Sequence, residues 1–345
     1  MMEEMDTSEI TRKLASVRLI EAIDPIQGAD AIELATVDGW RVIVRKTDGF
    51  QVGSKAVYFE IDSVLPLAPV YEERGLKRNS YERREWLPNG EGFRLRTAKI
   101  RGVLSQGLLL PYDGKNDIGH DLTEELGIIK WDPPAPVHLR GKQRGNFPQW
   151  ARKSDETRCQ NLKSQIREAF EMGLHFEVSI KLDGTSMTCA IRGDDFHICT
   201  RNNSMKTDQT GNAYVDTAKA LNLEEKIRGL KRNLSFGGEL LGPGIQANKE
   251  GLKDFQWFVF NIYDVDRQMF LSPEERLKIC QSLGIWHVPI IHVGPLPSPN
   301  IDDLLIMAEG KSLNADMREG IVFKSLDGAF SFKAISNAWL QRHKE

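Results

Sequence analysis

Nine residues constrain this chain more than any others: Phe176-Glu177-Val178-Ser179-Ile180-Lys181-Leu182-Asp183-Gly184. They read as an apolar-alternating strand that delivers a lysine at its exit, with Asp and Gly following at once. A lysine titrates at pH ~10.4, so it is a nucleophile at neutral pH only beside a cation or metal, or in a dry pocket. Gly184 would let a phosphate approach the backbone, and the Asp183 carboxylate would orient the amine or a metal. The tetrapeptide KLDG alone also fits a surface turn after a strand.

The next residues narrow the choice. Thr185 to Ile191 is expected as a strand, Gly193-Asp194 as a two-residue turn and Phe196 to Arg201 as the returning strand. In that register Ser186 faces Arg201, which carries an arginine back to the KLDG end, where a sugar-phosphate would sit. A solvated strand-end arginine is the plainer reading.

At 345 residues the chain is long for one core, and two domains are expected. A content of 40% hydrophobic and 28% charged residues describes a globular protein. No run of ~18 apolar residues exists and the first residues lack a signal-peptide core, so no membrane and a cytoplasmic location are expected. Cys159, Cys189, Cys199 and Cys280 lack CxxC spacing and read as reduced thiols without zinc. A net charge of -3 excludes a protein that coats nucleic acid by bulk electrostatics, so any such contact must be local.

From Leu14 to about Gly127, short strands alternate with turn residues such as Asp38-Gly39 and Asp48-Gly49. Five or so strands in that length suggest a small β-barrel of OB type. Such barrels bind single strands with aromatics and arginines on one face. The candidates are Trp40, Arg41, Arg45 and Lys46, and the cluster Arg94, Arg96, Lys99 and Arg101, which needs a bulge to share a face. A mixed-charge solvated surface is the alternative. Tyr71 to Asn89 reads as a charged mobile loop.

Residues 131–150, with Pro133, Pro134, Pro136 and Pro148 around Arg140, Lys142 and Arg144, read as a semi-rigid linker between a domain over 1–130 and one over 151–345. Ser154 is expected to cap a helix with Leu162, Ile166 and Phe170 on one face. Further on, the strand Leu234 to Leu241 holds Glu239, a charge that is costly among apolar residues unless something binds it. Phe255 to Val265 reads as a buried strand with Phe258, Phe260 and Ile262 on one face. Helices are expected over Pro273 to Leu283 and near Asp302 to Glu309, and two strands at Glu319 to Lys324 and Phe330 to Lys333.

Lys181 in KLDG, Arg201, Glu239 in GELLGPGIQ, Phe260, Glu319 in EGIVFK and Lys333 fall in an order that resembles the covalent nucleotidyltransferases, the superfamily of ATP-dependent ligases and capping enzymes. GELLGPGIQ is similar to the RNA ligase 2 group. With the OB-like first half, the whole chain resembles the Deinococcus radiodurans type of ATP-dependent RNA ligase. That resemblance implies an α+β protein, with an N-terminal OB-like β-barrel and a C-terminal nucleotidyltransferase (ATP-grasp-like ligase) domain of antiparallel sheets flanked by helices.

It also implies roles. Lys181 would attack the α-phosphate of ATP to give a lysyl-AMP, Arg201 and Glu239 would hold the ribose, and Phe260 would stack on adenine. Glu319, with Glu239 and Asp183, would help hold Mg or Mn, and Lys333 would contact the α-phosphate. RNA ligase 2 types carry KxK in the last motif, whereas Ser331 stands two before Lys333 here, and Lys324 would supply the second charge. An aspartate often follows the stacking phenylalanine, and Asn261 stands there. The implied partners are ATP and RNA ends, acted on by a monomer.

Three functions compete. The first is an ATP-dependent RNA ligase joining 5′-phosphate and 3′-hydroxyl ends. The second is a DNA ligase or capping-type enzyme, families that place an OB domain after the last lysine, where only 12 residues follow Lys333. The third is a nucleic-acid-binding OB module fused to an inactive nucleotidyltransferase, against which Lys181, Asp183, Glu239 and Glu319 stand.

Overall fold

The computed structural model describes residues 12–132, 141–153, 155–208 and 211–343. They fall into two compact units, one within Met1–Pro134 together with Asn337–Glu345 and the other within Ala135–Ser336. The helix Asn337–Arg342 therefore belongs with the first unit, although the sequence placed everything after 151 in the second. Ser154 and residues 133–140, the proline core of the expected linker with Arg140, lie outside the described residues.

The first unit is β-rich and OB-like. Its central strand, Lys55–Phe59, is flanked by Ala15–Leu19 and Leu108–Pro111. Alternation explains its apolar composition. Ala56 and Tyr58 enter one cluster with Trp40, Val42 and Val44, while Val57 and Phe59 enter another with Val17, Leu65 and Phe93. A strand buried on both faces must be apolar throughout.

That alternation corrects the nucleic-acid candidates. Trp40 and Arg41 are neighbours on strand Trp40–Arg45, so they point to opposite faces. Trp40 is 0% exposed and rests against Tyr58 at 5.7 Å, a core residue with no face for a base. Arg41 is exposed. The expected arginine cluster is split between two sheets, with Arg94 on Glu91–Arg94 and Lys99 on the hairpin Ala98–Ile100 and Val103–Ser105. Arg94 stacks over Trp131 at 4.3 Å and faces Asp62, and Arg96 pairs with Glu82. Lys99 and Arg101 remain exposed.

Nor is Tyr71 to Asn89 a loop. Helices Pro69–Glu72 and Leu76–Asn79 precede strand Tyr81–Arg83, which pairs with Glu91–Arg94. Tyr71 is buried edge-on to Phe59 at 5.6 Å, an apolar anchor hidden among the charges.

The second unit holds two sheets. The seven-stranded sheet runs in the order Gln143–Asn146, Asn203–Met205, Asp195–Cys199, Thr185–Arg192, Leu234–Leu241, Gln256–Asp264, Met269–Phe270. Gln143–Asn146, assigned to the linker by its composition, is thus an edge strand, and Arg144 binds Asp195 and the Phe196 carbonyl. The five-stranded sheet runs Thr157–Arg158, Ser331–Ile335, Gly320–Ser325, His175–Lys181, Ile290–Pro295. Pairing is antiparallel except between Thr157–Arg158 and Ser331–Ile335.

Helices Ala213–Ala220, Leu223–Gly229 and Pro273–Leu283 contribute to the apolar cluster of the larger sheet. Ser272 caps the last of them, and Gly284 at φ 59° closes it. The helix expected to start near Ser154 spans Lys163–Glu171 without a side-chain cap. Phe170 on it is 40% exposed while Ala169 is buried, because the buried stripe runs through Ile166 and Ala169.

Candidate active site

Lys181 ends a strand of the smaller sheet and Thr185 begins one of the larger, so Leu182-Asp183-Gly184 is the link between the two sheets. Ile180, Leu182, Leu241, Leu252, Phe258 and Val288 form a separate apolar cluster there. Its burial anchors the end of an interior strand, flanked by Gly320–Ser325 and Ile290–Pro295, where the lysine leaves the sheet.

In the ladder Lys181 faces Gly320, which brings it next to Glu319. Its ammonium donates to Glu319 Oε2 at 2.5 Å. Asp183 is held by Lys249, which the sequence reading missed; its only signal was a lysine closing the loop after GELLGPGIQ. Glu239 Oε1 accepts from the Gly184 N–H at 3.0 Å. That bond offsets part of the cost of a carboxylate in an apolar strand, and packing explains the glycine. A Cβ at Gly184 would collide with the Leu240 carbonyl oxygen and the Leu241 side chain. Close strand approach therefore requires the residue, whereas the sequence reading looked for phosphate access.

The electrostatics follow from this crowding. Burial pulls the Lys181 ammonium down, but Glu319, Glu239 and Asp183 together outweigh it and hold its pKa above the usual lysine value. Burial pushes Glu239 up to about 8, against the opposing pull of Lys181 and with help from Glu319. Three carboxylates, Asp183, Glu239 and Glu319, thus surround Lys181, and Lys249 pairs with the first. Among the described residues no three His, Cys, Asp or Glu side chains are grouped to hold a metal directly. The carboxylate oxygens of Glu319, Glu239 and Asp183 suit a hard ion such as Mg or Mn, which keeps several waters and takes one or two carboxylates together with phosphate oxygens.

Phe260 stands on Gln256–Asp264, where the ladder slips: Gly237 pairs with Asn261 and Gly238 with Val259, so Phe260 is the extra residue of a β-bulge. The slip changes the side-chain parity. Trp257 and Val259 enter the main core before it and Ile262 after it, while Phe258 and Phe260 join the cluster beside Lys181. The single face expected for Phe258, Phe260 and Ile262 therefore does not exist. The Phe260 ring lies over Gly237, where a Cβ would sit 3.2 Å from its Cε2.

Arg201 lies two residues beyond Cys199, the last residue of its strand, in the expected register, since Thr188 faces Cys199 and Arg192 faces Asp195. Its guanidinium binds Asp155 Oδ2 at 2.7 Å, and Lys333 binds Oδ1 of the same carboxylate at 3.2 Å. Burial lowers the Lys333 pKa, with Asp155 opposing and Lys181 adding to the fall, so the two lysines share one field. Asp155 is a second residue that sequence reasoning missed. Lys324 is buried, and its ammonium is directed at Phe260 and Asn261.

The chain is similar to known proteins over both of its units. A family model described as RNA ligase matches residues 174–335, and an OB-fold domain model matches residues 14–112. Among solved structures, a lysine-to-methionine mutant of Naegleria gruberi RNA ligase with AMP and Mn is 42% identical, covering 96% of this chain and 99% of that chain at a TM-score of 0.85. This chain belongs to the RNA ligase family. The same Naegleria gruberi RNA ligase with PPi matches at 0.84, and its glutamate-to-alanine mutant with ATP and Mn at 0.83, each 42% identical over 96% of this chain and 99% of that one. No curated protein matches. The RNA ligase match spans Lys181, the three carboxylates around it and every strand of the two sheets except Gln143–Asn146 and Thr157–Arg158, and the OB-fold match spans the strands from Ala15–Leu19 to Leu108–Pro111. Among the described residues no helix is long and apolar enough to cross a membrane.

Proposed function

We propose that this RNA ligase is of the Deinococcus radiodurans type and uses ATP to join 5′-phosphate and 3′-hydroxyl RNA ends. The observation that carries the reading is the convergence of Lys181, Asp183, Glu239 and Glu319, from three separate segments, on the link between two sheets.

Lys181 Nζ attacks the α-phosphorus of ATP, a P–N bond forms, and the bond to the pyrophosphate oxygen breaks. The resulting lysyl-AMP passes AMP to the RNA 5′-phosphate, and the 3′-hydroxyl then displaces AMP to seal the strand. Little acid-base chemistry is required, so positioning and charge neutralisation dominate. Glu319, Glu239 and Asp183 would hold a Mg or Mn ion through its waters. When bound, the ion supplies the positive charge that lowers the Lys181 pKa and offsets the phosphates.

Phe260 receives the base, Glu239 and Arg201 the ribose, and Lys333 the α-phosphate. Both cations must first leave Asp155 to do so. The Naegleria gruberi structures with AMP, ATP, PPi and Mn support these ligands. Four buried free thiols are in keeping with work in the cytoplasm.

The test is mass spectrometry after incubation with ATP and Mg. One covalent AMP is expected on the intact protein and none on Lys181→Ala, with both giving the same circular dichroism. A label that persists on the mutant sinks the assignment.

A further inference from the structure

Lys324 faces Glu177 in the ladder between Gly320–Ser325 and His175–Lys181, and it is only 8% exposed. Its ammonium donates to the Phe260 carbonyl oxygen at 2.6 Å and to Asn261 Oδ1. Both acceptors belong to the bulge. The Phe260 ring itself lies with the ammonium 5.4 Å from its centroid.

Phe260 has no partner in the ladder of its own sheet, so cross-strand pairing does not set its orientation. A contact from the opposite sheet does. We propose that Lys324 is a positioning residue: from the sheet that carries the nucleophile, it holds the bulge that aims the Phe260 ring at the base. The proposal rests on the reading of Phe260 as the base platform, and it takes Lys324 away from the phosphate.

Three further observations agree. Glu156 Oε1 lies 3.8 Å from the same ammonium, so its donors already face three protein acceptors. Glu177, its cross-strand neighbour, is tied to Arg276, which is 2% exposed and donates through Nε to His287 Nε2 at 2.8 Å. Lys324, Asn261 and Arg276 thus line one polar cavity of about 210 Å³ with Glu156 and Ser331. A buried cation is retained only where its partners are fixed, and partners fixed in two sheets fix the sheets to each other.

The test measures self-adenylylation against ATP concentration in the full-length protein, for wild type, Phe260→Ala, Lys324→Met and the double variant. Each single variant is expected to raise half-saturating ATP about tenfold, with the saturating rate within about threefold of wild type. The double variant should be no worse than Phe260→Ala alone, because Lys324 acts through the ring. Asn261→Ala, which keeps the bond to the Phe260 carbonyl, should give a smaller shift of the same sign, and it serves if Lys324→Met does not fold.

A fall of about 100-fold in the saturating rate, or multiplicative effects in the double variant, would place Lys324 on the phosphate and overturn the proposal. So would slow sealing of pre-adenylylated RNA by Lys324→Met. If Phe260→Ala leaves the ATP dependence unchanged while covalent AMP still forms on Lys181, the platform reading fails and takes the proposal with it. Absence of covalent AMP on the wild type is a different failure, that of the ligase reading.

Discussion

The Lys181 ammonium and the Glu319 carboxylate are 2.5 Å apart, brought together because Lys181 faces Gly320 across two antiparallel strands. Lys181, the proposed nucleophile, is therefore held as an ammonium by the carboxylates that would serve the metal.

Removing the charge of Glu319 should let that proton go more easily. Glu319→Gln is expected to lower the Lys181 pKa, so in chelator at fixed pH the lysine reacts faster with an amine-directed reagent, roughly tenfold per pKa unit. The same variant should fail in ATP-driven adenylylation. Peptide mass spectrometry across a pH series reads the first effect; labelling that is unchanged or slower would show that Glu319 does not govern the amine.

Gly184 gives a packing prediction. Gly184→Ala places a Cβ against the Leu240 carbonyl and Leu241, so the strands must separate and the bond from Gly184 N–H to Glu239 must stretch. Such overpacking costs about 1–3 kcal/mol. We expect a lower thermal midpoint together with loss of self-adenylylation, whereas Asp183→Asn should lose activity with little change in midpoint. A fully stable, active Gly184→Ala protein would refute the close approach.

The pH dependence of stability should carry the mark of His287. Burial, then the Arg276 guanidinium, lowers its pKa to about 3, and the neutral ring accepts from Arg276 at Nε2 while Nδ1–H donates to the Val288 carbonyl at 2.6 Å. Because the folded value lies below the unfolded value of ~6.5, the unfolded chain binds the extra proton. This contribution is intact above about pH 6.5 and falls by up to about 1.4 kcal/mol per pH unit as the pH drops toward 3. Urea midpoints from pH 7 to 4 should decline less steeply in His287→Gln. Identical slopes would mean the ring finds another partner when protonated.

The OB-like unit should act on sealing rather than on ATP. Arg41, Lys99 and Arg101 are exposed, so Ala at each should weaken sealing of a nicked duplex with an RNA 3′-hydroxyl strand and leave self-adenylylation unchanged. Removing one phosphate-binding cation should flatten the log–log salt dependence of binding by about 1. Trp40→Ala, by contrast, should cost about 3–5 kcal/mol and unfold the barrel. If all three exposed variants bind and seal normally at every salt concentration, these side chains are merely solvated.

Much of the catalytic unit was legible because its chemistry sits at the ends of regular elements. Period-2 alternation found strand His175–Lys181, the Gly193-Asp194 turn set the register of the hairpin after Lys181, and the apolar strand around Glu239 marked the carboxylate as bound. The helix Pro273–Leu283 carried its start signal, Ser272, and its stop signal, Gly284. The misread nucleic-acid candidates share one cause. Grouping Trp40 with Arg41, or Arg94 with Lys99, assumed that neighbours in sequence share a surface, whereas alternation and a change of sheet separate them.

The sequence by itself determined the two-part architecture, the lysine at a strand exit and the order of charged residues around it, because local periodicity and turn chemistry act within a few residues. Only the tertiary structure decided which charges meet. Lys249 on Asp183, Asp155 between Arg201 and Lys333, and Lys324 on the Phe260 bulge join residues 46 to 178 positions apart. No periodicity encodes such pairs. They arise where two sheets close on each other, and there a buried charge must find a partner or not be buried at all.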